Sequence, residues 1–452
     1  MTENISEQNT FLESRWADFP FTPAKLPFFY GWVIVAAATI GVIASIPGQT
    51  IGVGVFTEYL IESLKISRTK LSTAYMFGTI TSSLILPFAG KLIDKFGTRI
   101  TGIIAAVSLA LSLLLLSQCD KILNFLNISS PAVIIVWMSF SFLLIRFFGQ
   151  GCLTMTSRVT IGKWFNHRRG LAVMIHNIFI TFTFNTSPKL LNDLVNFIGW
   201  RQAYITLALL IGIGVAFIIW LLFRDNPEQC SLVMDGITDP EWLRKMAQKV
   251  TEVRKQFTRK DAIKTLTFWT FALGCALQGM FMTALTFHIT SIGHEMGLTR
   301  DVAYSVFPVI AVIGVVSTII TGWVSDRTRL KWLLLAMLIT QALALFGLIF
   351  FDIPAGKLMV EIGYGVSSGI FGPLLTITMP RFFGRRHLGA ITGLNTSILV
   401  FTCAVGPSLY SSVRDLTDSY KHIFVICMLL PLILAIFALK ANNPQEKIPA
   451  EK

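Results

Sequence analysis

Apolar residues in this chain fall into long blocks rather than alternating with polar ones. Twelve of these blocks are long enough to cross a bilayer, for which a helix needs about 20 mostly apolar residues. They run over 28–56, 71–89, 100–118, 132–157, 170–190 and 202–223, and then over 266–290, 302–321, 332–350, 357–379, 388–410 and 421–439. Backbone N–H and C=O groups in hydrocarbon must pair within the chain, so such blocks predict helices. The longest polar interval divides them six and six. The pattern predicts an all-α integral membrane protein with a polar tail over 1–27, a six-helix bundle over 28–223, a linker over 224–265, a second six-helix bundle over 266–440 and a tail over 441–452.

The 38 Lys and Arg residues are unevenly placed. With both tails and the linker on one side, 27 lie in or beside the polar intervals of that side, ten lie in the opposite loops, and Arg146 falls inside a block. Cytoplasmic loops carry such an excess, so the tails and linker are expected in the cytoplasm. The formal charge of +13 then reads as a topology anchor and not as a nucleic-acid surface. Only 14 % of residues are charged, against about 25 % in soluble chains. Residues 1–25 have no apolar core, so the first block is expected to serve as the insertion signal. The six cysteines form no CxxC pair and read as small packing residues. Short loops point to a bacterial inner membrane, and a monomer is expected.

Short signatures recur in the two halves, in the same order and on the same side, which marks an internal duplication. The run from Gly90 through Asp94 and Gly97 to Arg99 follows the second block; Gly322, Asp326, Arg327 and Arg329 follow the eighth. Trp164-Phe165 and Arg168-Arg169 precede Gly170-Leu171-Ala172 in the fifth. Phe382-Phe383 and Arg385-Arg386 precede Leu388-Gly389-Ala390 in the eleventh.

Parallel six-helix repeats are the architecture of the major facilitator superfamily, and these motifs resemble that family's. The Gly90–Arg99 run is similar to its signature between helices two and three. Arg146-Phe147-Phe148-Gly149-Gln150-Gly151 resembles its fourth-helix motif, and Gly199-Trp200-Arg201 with Tyr204 resembles the start of its sixth helix. Tyr30-Gly31-Trp32-Val33 and the Trp164–Ala172 stretch are similar to the monocarboxylate and oxalate/formate branches. The resemblance implies the major facilitator fold, twelve transmembrane helices in two bundles that rock about a central site. It also implies gating by Gly90, Asp94, Arg99, Gly322, Asp326 and Arg327, with each loop Asp near the start of a helix in the opposite half. Where those branches carry an Arg and an Asp in the eighth helix, this chain has Thr318 and Gly314.

An Arg at a helix centre costs about 2.5–3.5 kcal/mol on insertion scales, so Arg146 calls for a compensating role. Ser139, Gln150 and Ser157 fall on its face at helical spacing, a polar stripe that reads as a cavity wall. The alternative is that Arg146 ties helices together through backbone carbonyls. Glu361, well inside a block, lies close to the repeat equivalent of Arg146; with Lys357 four positions away, it reads alternatively as a snorkelling residue. The candidate substrate-binding set is Arg146, Gln150, His176, Asn177, Asn185, Gln278, Asn395 and Gln49, the last following Pro47-Gly48 in the first block. Proton coupling falls to Glu361 and Arg146. Asn and Thr in spans also glue helices together.

No metal-ligand spacing, nucleophile motif or phosphate-binding loop is legible in the sequence, so no enzyme, cofactor or metal is expected. The reading is a secondary active transporter, powered by a gradient, that moves a small organic solute. The expected solute is a carboxylate anion coupled to a proton or other ion. Aromatic residues at 12 % keep an exporter of drugs or amphipathic metabolites as the rival. A transporter-like solute receptor stands third, for want of an added soluble domain.

Overall fold

The computed structural model describes residues 18–128, 130–237, 239 and 253–448, apart from the side chains of Arg68, Asn185, Arg300, Asp301 and Lys447. Among the described residues every regular element is helical. Helix α1 (31–64) is broken into Gly31–Ala44, a tight turn Ile46–Gly48, and Thr50–Leu64. Helices α2 (68–96) and α3 (98–117) are the two arms of Arg68–Ser117, parted at Gly97. The N-terminal half continues with α4 (Pro131–Trp164), α5 (Arg169–Ile198) and α6 (Trp200–Leu222). The C-terminal half comprises α7 (Leu266–Glu295), α8 (Val306–Ser325), α9 (Leu330–Ile349), α10 (Pro354–Phe383), α11 (Leu388–Thr417) and α12 (Lys421–Lys440).

Nine described stretches are long and apolar enough to cross a membrane. One of them holds both α2 and α3, and the shorter apolar helices Gly31–Ala44 and Arg169–Phe184 belong to α1 and α5. All twelve expected spans are present. Most run past their apolar blocks: α2 stays helical to residue 96, where a loop was expected from 90, and α4 runs to Trp164 rather than 157. Helix ends that leave the hydrocarbon keep their internal hydrogen bonds, so the apolar pattern reports only the part that meets lipid. At Gly97 (φ 80°) the chain turns sharply, and a Cβ there would overlap the Asp225 carboxylate. That carboxylate caps α3, accepting from the amide and hydroxyl of Thr98 and the amide of Arg99, the polarity a helix start favours.

The exterior is greasy, with Leu111, Phe197, Ile213 and Ile436 all more than half exposed. Contiguous apolar surface of this kind suits lipid and not water. Between the halves, α11 lies along α2 and α8 lies along α5, so each half is closed by helices of the other. The end of the molecule that holds Arg168, Arg169, Arg385 and Arg386 is called the basic end below.

Candidate functional site

Two matching clasps hold the halves together at the basic end. Asp94, near the foot of α2, accepts from the amides of Gly389 and Ala390 at the start of α11, 2.7 Å each. Asp326, at the foot of α8, accepts from the Gly170 amide at the start of α5 at 2.9 Å. Each carboxylate therefore meets the positive end of a helix from the other half. A Cβ on Gly90 would overlap the Gly389 carbonyl, and one on Gly170 would overlap that of Gly322. Larger residues would hold the helices apart. Arg381 on α10 backs the second clasp, 3.4 Å from Asp326 and 2.5 Å from the Ser325 carbonyl. Burial pushes the Asp326 carboxyl up from the usual carboxylate range, while Arg381 and the Gly170 amide pull it back. The ionised clasp is thus held against a desolvation cost that opening relieves. The described bonds of Arg99 and Arg327 lie within their own halves: Arg99 donates to the carbonyls of Trp220 (2.7 Å) and Phe19 (2.9 Å), and Arg327 to that of Trp323 (2.9 Å).

Farther in, two helices lose their regular form opposite each other. Pro47 sits in the break of α1, and Gly48 lies against the Ile145 carbonyl and Gly149 of α4. There α4 widens into a π-helical stretch, Arg146–Leu153, in which the Thr154 amide bonds back to Gly149. Arg146 bridges the two irregularities. Its guanidinium donates to the Gly48 carbonyl and to Thr50 Oγ1, 3.3 Å each, and lies 5.3 Å from the centre of the Tyr75 ring. Gln49 is held within the same half, donating to Ser45 Oγ (3.0 Å) and Thr154 Oγ1 (3.4 Å).

A π turn carries an extra residue, which swings the rest of the helix by about 100°. Ser157, placed by regular spacing on the Arg146 face, packs instead against Gly41 of α1. Counted with the extra residue, Arg158 takes the place on the Arg146 face in its stead. From Gly151 to Phe165 every residue is buried except Arg158, which is half-buried. One turn on, Gly162 lies against Pro380 and Leu388 of the other half, so this end of α4 stands where the halves meet. Arg158 lies one residue past the apolar block that ends at 157.

The other candidates occupy the helices around this seam. His176 is fully buried; its Nδ1 lies 2.9 Å from Thr39 Oγ1 and its Nε2 has no partner. Asn177 donates to the Val173 carbonyl (2.9 Å) and lies against Gly372 of α10. Gln278 on α7 is buried with both amide atoms unpartnered, Asn395 on α11 with Oδ1 unpartnered, and Gln150 has a buried unpartnered Oε1. Each such orphan costs about 1–3 kcal/mol unless water or a ligand meets it. The Asn185 side chain lies outside the described residues. Glu361 stands two turns into α10, 9 % exposed, with Lys357 Nζ at 4.0 Å. No contact between Glu361 and Arg146 is present among the described residues.

The sequence pattern of the Major Facilitator Superfamily matches residues 33–407. The chain belongs to this superfamily. Two curated relatives are similar to this major facilitator protein. Mouse monocarboxylate transporter 11 is 26 % identical over 179 residues, 36 % of this chain and 39 % of that one. The human protein of that name is 24 % identical over 306 residues, 63 % of this chain and 58 % of that one. The matches thus span less than two thirds of either relative. Among solved structures, the proton:xylose symporter XylE bound to 6-bromo-6-deoxy-D-glucose aligns with a TM-score of 0.68 at 15 % identity, covering 92 % of this chain and 98 % of that one. FucP in the outward conformation gives 0.60 at 15 %, covering 91 % and 99 %. The human organic anion transporter MFSD10 gives 0.59 at 13 %, covering 92 % and 100 %. At these identities the likeness is one of fold. Family and fold are those of multi-pass membrane transporters.

Proposed function

We propose that this transporter carries a small organic anion, a carboxylate by preference, together with a proton, by alternating access between its two halves. One observation carries the reading. Two guanidinium groups, Arg146 and Arg158, stand on α4, while Glu361 on α10 already faces Lys357. A path with uncompensated positive charge concentrates anions. The limited likeness to monocarboxylate transporter 11, and the fold shared with a structure named as an organic anion transporter, point the same way.

The basic end faces the cytoplasm, so the closed clasps leave loading to the outer side. Binding neutralises the seam, the clasps open, and the outer ends close in turn. Arg146 keeps the break in α1 in shape, and Gln150, Gln278, Asn395 and Asn177 offer amides along the path. Glu361 carries the proton, and Lys357 balances its carboxylate once the proton has left. Purified protein in proteoliposomes tests this with labelled carboxylates, amino acids and cationic dyes. Carboxylate should exchange across the bilayer and accumulate on an imposed pH gradient. Glu361→Gln should keep exchange and lose accumulation. Undiminished accumulation in that variant moves the proton to another group, and movement of dyes alone replaces the anion reading with the exporter.

A further inference from the structure

We infer that Arg158 and His176 form an anion subsite inside the basic-end clasps, which takes a small carboxylate bearing a hydroxyl or amino donor beside it. The inference rests on the transport reading above and adds where the anion sits and what shape it has. Arg158 lies six residues inside the foot of α4, about 9 Å along the axis. Its neighbours on the helix are buried and it is not. Among the described residues its guanidinium has no hydrogen bond or ion pair, and the adjacent Ser157 packs on Gly41 of α1, two residues from the Thr39 that holds His176. A guanidinium among helices without a carboxylate is expensive to keep, and its planar fork fits two carboxylate oxygens.

The neighbouring histidine adds direction. Thr39 has one hydroxyl proton, and it donates to the Val35 carbonyl at 2.7 Å. Thr39 Oγ1 therefore accepts from His176 Nδ1–H at 2.9 Å. In the neutral ring the other nitrogen, Nε2, is then an acceptor, and it is buried with no donor to meet. A bare carboxylate would satisfy Arg158 and leave Nε2 empty. A ligand with an O–H or N–H beside its carboxylate satisfies both. The π-helical stretch of α4 makes the arrangement possible: the twelve steps from Arg146 to Arg158 count as eleven, about three α turns, which brings both residues to one face.

Glycolate and acetate differ by the one donor in question. Thermal stabilisation of the purified full chain by each anion, alongside counterflow in proteoliposomes, tests the subsite. The wild type should respond to glycolate at a concentration at least about fivefold below that needed for acetate, because a buried acceptor left unpaired costs about 1–3 kcal/mol. Arg158→Gln should respond to neither, with Arg158→Lys regaining a weaker response. His176→Phe should respond to both anions equally, at the level of acetate. Melting of each variant without ligand separates lost binding from lost folding. An unchanged response in Arg158→Gln, equal responses to the two anions in the wild type, or no response to either overturns the proposal. If Arg158→Gln carries carboxylate as the wild type does, the subsite falls and the transport reading stands. If the anions bind through Arg158 and none crosses the bilayer, the transport reading falls and the subsite stands.

Discussion

Arg146 directs its donors to a backbone carbonyl and a hydroxyl of α1 instead of a carboxylate. Pro47 and the turn at Ile46–Gly48 interrupt the ladder of α1, and a fixed guanidinium fork replaces the missing partner. Removing it strands the Gly48 carbonyl, so Arg146→Gln should cost about 2–3 kcal/mol of stability, and Thr50→Ala about 1 kcal/mol, in chemical unfolding in detergent. Wild-type stability with transport abolished would instead make Arg146 a ligand for the substrate. At the opposite end, Arg201 grips Asp120 with two bonds of 2.5 Å, stacks on Trp200 and donates to the Ser117 carbonyl. The Arg201 bond holds the Asp120 carboxyl below its ordinary pKa of 3.8. A lowered folded value means stability that is fully present above the ordinary pKa and lost as pH falls through the folded one. A double-mutant cycle of Asp120→Asn and Arg201→Gln should show about 1 kcal/mol of coupling at neutral pH, fading only below pH 3.8. Coupling absent at neutral pH would reduce the pair to a surface contact.

Among the elements, the clasps of α2 on α11 and α8 on α5 are where sequence and structure agree most closely. Glycine, aspartate and the spacing between them are visible in a linear pattern, and the repeat doubles the signal. Asp94→Ala leaves the Gly389 and Ala390 amides without an acceptor in the closed state; at about 1–3 kcal/mol per lost bond, closure should weaken more than tenfold. A cysteine at Thr392, just inside the clasp, should then react with a thiol reagent added from the basic side at least about ten times faster. An unchanged labelling rate would remove Asp94 from the gate. The breaks were less legible. Pro47-Gly48 announces the one in α1, whereas nothing in Arg146–Leu153 spells a π turn, since the widening comes from packing against Gly48 of another helix. Regular spacing therefore placed Ser157 on the cavity face and left Arg158 outside the span. Helix ends were blurred for a simpler reason, because polar turns beyond the lipid carry no apolar signal.

For the molecule as a whole, twelve apolar blocks and a repeated motif were enough to read the fold, because lipid leaves a chain few alternatives. The path between the halves was only partly legible, since pairings across it, such as Gly389 with Asp94 or Ser397 with the Ser83 carbonyl, join residues far apart in sequence. The two halves, clasped at one end around a seam that holds Arg146 and Arg158, have the frame of a major facilitator transporter, and an anion is the cargo proposed for it. The most direct measurement is accumulation of labelled carboxylate by proteoliposomes holding the purified chain under an inward proton gradient. The account predicts accumulation above the external concentration, collapse on adding a protonophore, and none without protein. Carboxylate that never exceeds protein-free leakage, while cationic or neutral solutes cross, would contradict it.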